Sequence, residues 1–454
     1  MTSFSLGKFR RFHFVGIGGM GMSAVAEILK GRGFEVSGSD MTESPNLDNL
    51  RRSGIRISIG HQAKNLAQAQ AVVVSSAIPA NNPELAAARQ QGLAVVHRSE
   101  VLAALMQNKT GITVCGTHGK STTCAMLSTV LIESGADPTI ILGARLPGLD
   151  GKNARLGGGD LVVAEADESD RSFLRFWPVH TIVTNIDNDH LDHYRDFRDL
   201  QQAFLEHMNR IPSNGVVAAC LDDYGLSPLL KNVHTRLLTY GLKGEVDFSA
   251  CKLGGNGFRL GYECLRRGQP LGRIELRVPG RHNLLNSLAA VALSLELEIP
   301  FQQVQRGLEA FRGVERRMQW KGERSGVWVL DDYGHHPTEI RAALAACRSF
   351  GRRVVVVYQP HRYSRTRMVA SETERCFEDA DQLFLMDIFA AGEEPIEGVD
   401  SGCLSEAIGR HREVTYVPDG TGLVRVLRKA TARGDLLLTL GSGDVWKVGE
   451  EFLG

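Results

Sequence analysis

Between residues 11 and 107 short apolar runs alternate with amphipathic stretches. "RFHFVGIGG" (11–19) reads as a strand running into a glycine turn, and "MSAVAEILKGRG" (22–33) as a helix closed by Gly33. "FEVSGSD" (34–40), "AVVVSSAI" (71–78) and "LAVVHRSE" (93–100) read as three further strands, with helical patterns between them. Strands that alternate with amphipathic helices predict a parallel sheet. "NKTG" (108–111) then reads as a linker.

A second α/β pattern begins at "ITVCG" (112–116) and continues through the helix "TTCAMLSTVLIESG" and the strands "DLVVAEAD" and "HTIVTNID". Residues 245–280 are predicted to form antiparallel strands joined by glycine turns, and "NLLNSLAAVALSLEL" (283–297) an apolar helix. A third boundary falls near "FRGVERRMQW" (311–320). Beyond it "VWVLDDYGHHP", "RRVVVVYQPHR", "DQLFLMDIF" and "DLLLTLGSGD" are four apolar strands that end in polar or glycine-rich residues. The expectation is an α/β protein of three domains, 1–108, 109–313 and 314–454.

Length agrees, since 454 residues exceed what one core accommodates. Charge narrows the partners: 52 Lys+Arg against 52 Asp+Glu leave no global field for nucleic acid or an anionic membrane. No apolar run is long enough to span a bilayer, and the N-terminal residues lack the apolar stretch of a signal peptide. The eight cysteines are scattered without a CxxC pair, which predicts reduced thiols in a cytoplasmic protein and no structural zinc.

The chemistry concentrates at predicted strand ends. "GTHGKSTT" (116–123) follows a strand and opens a helix, the context in which backbone N–H groups meet a phosphate. Only two residues separate Gly116 from Gly119, against four before the Gly-Lys pair of the general phosphate loop. Lys120 would reach the β- and γ-phosphates, and Ser121 or Thr122 would offer a hydroxyl to Mg²⁺. In "GIGGMGMS" the glycines Gly16, Gly18 and Gly21 fit G-x-G-x-x-G with Gly19 in addition, and Asp40 ends the next strand where it would meet a ribose. That turn suits a diphosphate, whether of a nucleotide sugar or of NAD. "VAEADESD" offers Glu165, Asp167, Glu168 and Asp170, and "TNIDNDHLDHY" offers Asp187, Asp189, His190 and His193, both suited to Mg²⁺ bridging ATP oxygens. "DDYGHHPTE" contributes Asp331, Asp332, His335 and His336, and "QPHRYSRTR" contributes His361, Arg362, Arg365 and Arg367.

In order and spacing, "GIGGMGMS", "GTHGKSTT", "EADESD", "TNIDNDHLDHY", "HNLLNSLAA", "DDYGHHPTE" and "PHRYSRTR" resemble the Mur ligases over nearly the whole chain. The short loop "GTHGKST" is that family's form of the phosphate loop. The resemblance implies a Rossmann-like N-terminal domain for a UDP-sugar, a central P-loop ATPase-type α/β domain, and a Rossmann-like C-terminal domain for an amino acid. It implies that Gly116, Thr117, His118, Gly119, Lys120, Ser121 and Thr122 hold ATP. Asn283 and Asn286 would contact the adenine, with Arg317 and Asp332 also at the nucleotide. Ser121, Glu165 and His190 would hold Mg²⁺. Gly16, Gly18, Gly19 and Gly21 would cradle the UDP diphosphate, with Ser75, Ser76, His97 and Arg98 nearby. Tyr333, His335, His361 and Arg365 would line the amino-acid site. Ser121 stands where the family commonly has threonine, which keeps the hydroxyl. No lysine is assigned to the carbamylated role known in some relatives.

The implied activity joins L-alanine to the lactyl carboxylate of UDP-N-acetylmuramate at the expense of ATP, in a cytoplasmic monomer or homodimer without nucleic-acid or membrane partners. Lys120, Glu165, His190, His335 and His361 would carry the catalysis. The nearest rival attaches a preformed peptide to the same sugar. A folate-type ligase would share only the phosphate loop, and an oxidoreductase would use only the glycine turn. A nucleotide-sugar sensor would leave the lysine, carboxylates and histidines without a task.

Overall fold

The computed structural model describes residues 4–189, 193–420 and 422–454. Its five-stranded first sheet is parallel throughout, in the order β3-β2-β1-β4-β5. The strands are β1 (Arg11–Val15), β2 (Glu35–Asp40), β3 (Arg56–Ile59), β4 (Ala71–Val74) and β5 (Ala94–His97). Helices α1 (Met20–Gly31), α2 (Pro45–Arg52), α3 (Pro83–Gln90) and α4 (Arg98–Met106) connect or follow them. Two readings are corrected here. The strand β3 was not anticipated, because "RISI" is a half-exposed edge with only two apolar residues. "LAVVHRSE" is strand only to His97; there the His97 ring accepts from Ser99 N, and His97 N donates to the Glu100 carboxylate at 2.9 Å. That reciprocal cap starts α4.

Beneath this sheet lies a buried polar knot. Glu84, without solvent exposure, accepts from His13 Nε2 at 3.1 Å, Ser39 Oγ at 2.6 Å, Asn65 Nδ2 at 2.6 Å and Gln62 N at 3.1 Å. Burial alone would raise its pKa, but the bonds from His13, Ser39 and Asn65 outweigh it and bring the carboxyl to about 2. A carboxyl depressed on folding stabilises above its unfolded pKa of 4.5 and loses that contribution as pH falls toward 2. Its worth is about 3 kcal/mol. Glu84→Gln should therefore lower the thermal midpoint at pH 7 and flatten the acid limb between those values, as pH-dependent melting will show.

The second sheet has ten strands in the order β15-β14-β13-β12-β11-β10-β6-β9-β7-β8. They are β6 (Thr110–Cys115), β7 (Thr139–Leu146), β8 (Lys152–Arg155), β9 (Leu161–Glu165), β10 (His180–Val183), β11 (Val216–Cys220), β12 (Arg236–Tyr240), β13 (Phe248–Asn256), β14 (Arg259–Arg266) and β15 (Gln269–Leu276). Thr110 and Gly111, read as linker, already belong to β6. The strand β6 is flanked in parallel by β9 and β10, so chain connections leave it on both sides. Open α/β sheets bind ligands at such a switch point, outside the carboxyl ends of the strands. The helix α5 (Lys120–Glu133) follows β6 and is sunk in the core along Cys124, Ala125, Met126 and Leu127.

The third sheet runs β16-β17-β21-β18-β19-β20, with β16 (Gln319–Arg324), β17 (Val327–Asp332), β18 (Val354–Tyr358), β19 (Gln382–Leu385), β20 (Thr415–Tyr416) and β21 (Leu436–Leu440). Only β16 pairs antiparallel. The four apolar strands of the sequence are its centre; β16 and β20 are polar edges that carried no apolar signal.

The chain divides into two compact units. One holds Met1–Lys252, Tyr262–Ile274 and Leu285–Phe311; the other holds Leu253–Gly261, Glu275–Leu284 and Arg312–Gly454. In the second, Phe258 from the hairpin between β13 and β14 packs on Phe350, Trp320 and Trp328, with ring centroids 4.7, 5.6 and 5.9 Å away. Arg352 lies 3.7 Å over Trp328. All eight cysteines are free, six of them buried, and no described helix is long and apolar enough to cross a membrane.

Candidate active site

Residues 116–119 turn the chain sharply from β6 into α5. Gly116 has φ +131°, and a Cβ there would overlap Thr184 Oγ1 and come within 3.0 Å of the Asn185 backbone. Gly119 has φ +80° and stands at the N-cap of α5 with no side-chain cap; a Cβ there would lie 2.7 Å from Asn286 Oδ1. The first N–H groups of a helix have no partner within it, and the N-cap Gly119 has no side chain to offer them. The residues after β10 clamp the turn. Thr184 Oγ1 and Asn185 Nδ2 donate to His118 O at 2.6 and 2.9 Å, and Asn185 Oδ1 accepts from His118 N at 2.8 Å. His118 Nε2 is 3.0 Å from Asp187 Oδ2, Tyr224 OH donates to Asp187 Oδ1 at 2.9 Å, and Thr117 Oγ1 accepts from Asp187 N at 2.9 Å.

Lys120 folds back over this turn. Its Nζ donates to Gly116 O at 2.7 Å, Thr117 O at 3.1 Å and the buried Glu168 carboxylate at 2.9 Å. Burial disfavours its charge, but Glu168, Asp167 and Glu165 overcompensate and keep the ammonium protonated well above its ordinary range. Glu165, at the end of β9, accepts from Ser121 Oγ and from Gly143 N, both at 2.9 Å. Thr122 is buried beside Ser121. A cation, a bare helix N-terminus and hard oxygen donors from a hydroxyl and carboxylates form a donor set that fits a triphosphate with Mg²⁺. His190, the third expected metal ligand, lies outside the described residues.

The glycine turn at 16–21 is built the same way. Gly16 has φ +74° and donates to Ser39 O at 2.8 Å. Gly18 N donates to Asp40 Oδ2 at 2.8 Å, so the carboxylate expected at a ribose is engaged by the turn itself. Gly19 is the N-cap of α1, again without a side-chain cap, and Gly21 is pressed against the Arg98 guanidinium. Arg98 in turn donates to Asp167 at 2.8 Å. Ser76 Oγ bonds both Asp170 and His97 Nε2, the latter at 3.1 Å; Ser75 is partly exposed nearby. Burial drives His97 down to about 4 despite the neighbouring Asp170. Met20, Gly21, Arg98, Glu165, Asp167 and Phe176 line a cavity of about 220 Å³. The structure thus brings the glycine turn, the residues 76, 97 and 98, and the acidic end of β9 to one place.

The second unit holds the remaining candidates. Tyr333, His335 and His361 form a ring cluster with successive centroid distances of 5.6 and 5.9 Å, and His361 stacks on Phe389 at 5.8 Å. Burial, then Arg365 and Arg362, push His361 down to about 4. Arg317 lies 5.0 Å over Tyr333 and reaches Glu339 at 3.4 Å. Asp332 accepts from Met318 N and Gly334 N, both at 2.7 Å, and burial raises it to about 6 against the pull of Arg317. Asn283 Nδ2 donates to Pro279 O at 2.6 Å. Sequence reasoning passed over Thr184, Asn185 and Tyr224; the first two sit in a polar pair straight after a strand, which was the available signal.

Three family models cover nearly the whole chain: the Mur ligase family catalytic domain at residues 11–110, the middle domain at 114–294 and the glutamate ligase domain at 316–443. The UDP-N-acetylmuramate–L-alanine ligase of Geobacter sp. (strain M21) is 48% identical over 451 residues, 98% of each chain. The enzyme of the same name from Syntrophotalea carbinolica is 48% identical, over 98% of this chain and 97% of its own. Among solved structures, the UDP-N-acetylmuramate–alanine ligase of Thermotoga maritima superposes with a TM-score of 0.84 at 29% identity, covering 97% of this chain and 98% of that one. A murein peptide ligase from Psychrobacter arcticus shares the fold, with a TM-score of 0.72 at 23% identity over 98% of each chain. With its phosphate loop, its glycine turn and all three domain models in place, the chain belongs to the Mur ligase family.

Proposed function

We infer that the chain is an ATP-dependent ligase that joins L-alanine to the lactyl carboxylate of UDP-N-acetylmuramate, a step in building the peptidoglycan precursor. The observation that carries the reading is the convergence of Lys120, Ser121, Glu165 and Glu168 on the bare N-terminus of α5, in a chain matched end to end by alanine ligases. The 48% identical alanine ligases favour this reading over the preformed-peptide alternative.

A carboxylate and an amine do not condense at neutral pH without activation. The lactyl carboxylate takes the γ-phosphoryl group of ATP, ADP leaves, and the amine of alanine then attacks the acyl carbon and expels phosphate. No side-chain nucleophile is needed. Lys120 offsets charge on the phosphoryl oxygens as the β–γ bond breaks, and the N–H groups opening α5 hold the same oxygens in place. Glu165 and Ser121, and His190 by family resemblance, would hold Mg²⁺, which when bound screens the phosphate charge. Asn286, beside Gly119, would contact the adenine in this reading. His335 or His361 would take the proton that the alanine ammonium must lose. Tyr333, His335 and Arg365 line the amino-acid site in this reading.

The test is phosphate release from purified protein with Mg²⁺-ATP and UDP-N-acetylmuramate, with and without L-alanine. The expected result is alanine-dependent release and a product heavier by one alanyl residue. Release with a peptide in place of alanine would transfer the assignment to the peptide ligase, and silence with both would overturn it.

A further inference from the structure

The groups expected to receive the nucleotide sugar are bonded to carboxylates of the same polypeptide. Arg98 donates to Asp167 at 2.8 Å, and Ser76 Oγ bonds Asp170, with His97 Nε2 3.6 Å from that carboxylate. All three donors belong to the first sheet's C-terminal edge, while both acceptors follow β9 of the second sheet. Asp167 and Asp170 are two and five residues beyond Glu165. The Arg98 guanidinium lies against Gly21 in the first turn of α1, where a diphosphate would bind, and it lines the cavity shared with Glu165 and Asp167.

We propose that Asp167 and Asp170 are placeholders that latch Arg98 and Ser76, and through Ser76 the His97 ring, until an anionic oxygen of the nucleotide sugar displaces them. This rests on the reading that those three residues face the UDP-sugar. A guanidinium and a hydroxyl bonded to carboxylate oxygens, with an imidazole behind the hydroxyl, are already oriented for the phosphate or carboxylate oxygens of a ligand. Neither aspartate is idle when displaced. Asp170 keeps its bond from Ser172 N at 2.9 Å, and Asp167 keeps Ser169 N at 3.1 Å and the field of Lys120. The carboxylates compete with substrate, so affinity for the nucleotide sugar is lower than its own contacts would give. In return, the acidic strand end is released toward the phosphate loop only when the sugar is in place. Asp167 and Asp170 are thus positioning residues that couple sugar binding to the arrangement around Glu165.

The experiment is calorimetric binding of UDP-N-acetylmuramate, without ATP, to the wild type and to Asp167→Asn and Asp170→Asn. The amides keep shape but lose the charge that competes. Each variant should bind the nucleotide sugar about three- to tenfold more tightly, with a thermal midpoint unchanged or lower in the ligand-free protein. Unchanged or weaker binding by the folded variants would overturn the latch. Asp170→Asn supplies an independent test should Asp167→Asn not fold. UDP-N-acetylglucosamine, which lacks the lactyl carboxylate, tells the two anions apart. Tightening toward both ligands identifies the diphosphate as the displacing group, and tightening toward the muramate alone identifies the carboxylate. A wild type that binds neither sugar would instead refute the functional reading.

Discussion

Lys120→Ala should lower alanine-dependent turnover by roughly 10²–10³, the cost typical of removing one preorganised charge donor. Its ammonium bridges two loop carbonyls and Glu168, which fixes it at the phosphate turn. The loss should therefore fall on kcat more than on KM for alanine. Steady-state kinetics on the variant will show this, and near-normal turnover would remove Lys120 from the mechanism. The same substitution deprives a fully buried carboxylate of its lysine, and breaking a buried pair on one side costs about 3–5 kcal/mol. Lys120→Met combined with Glu168→Gln separates the two effects. The pair of changes restores much of the melting temperature while activity stays low.

Gly116→Ala should be nearly as damaging by a different route. At φ +131° any L side chain is strained, and the new methyl would overlap Thr184 Oγ1 and crowd the Asn185 backbone. Strain and overpacking together cost about 2–4 kcal/mol, unless the turn shifts to relieve them. A shift of about 1 Å in a positioning element costs on the order of 10² in rate. We expect a lower thermal midpoint together with a turnover loss of that size. Adding Thr184→Ala should recover part of the stability, because it removes the hydroxyl in the way, but little activity, because the Asn185 backbone remains. Full activity in Gly116→Ala would mean that the loop's tight geometry is not what the chemistry requires.

These expectations rest on features of unequal legibility. The strand–glycine–helix units at 11–31 and 110–133 stand out in the sequence because buried parallel strands are continuous apolar runs and glycine marks the turn. The polar edge strands β3, β16 and β20 do not stand out, since an edge needs no apolar alternation. At the site, Lys120, Ser121 and Glu165 are legible from their places at the ends of adjacent strands. That Lys120 selects Glu168 while Ser121 selects Glu165 is not, because the choice depends on how β6 and β9 register and on which carboxylate the loop buries. The polar pair Thr184 and Asn185 is visible after a strand, but its side-chain grip on the backbone of His118 is not, because the target is a carbonyl and an amide that no sequence pattern records. Asp40 is legible as a residue at the glycine turn, but its bond from Gly18 N is not, since it depends on how the turn folds back on β2.

The aromatic nest around Phe258 has a bearing on how the polypeptide is made. Phe258 leaves the ribosome long before Trp320, Trp328 and Phe350, the rings on which it rests. Until they emerge, the hairpin tip that carries it has none of its aromatic partners, and a nascent chain at that stage presents an apolar ring to chaperones or to its neighbours. Cutting the gene after codon 313 would make that interval permanent, so the first two sequence segments expressed alone should aggregate unless Phe258 is replaced by a polar residue.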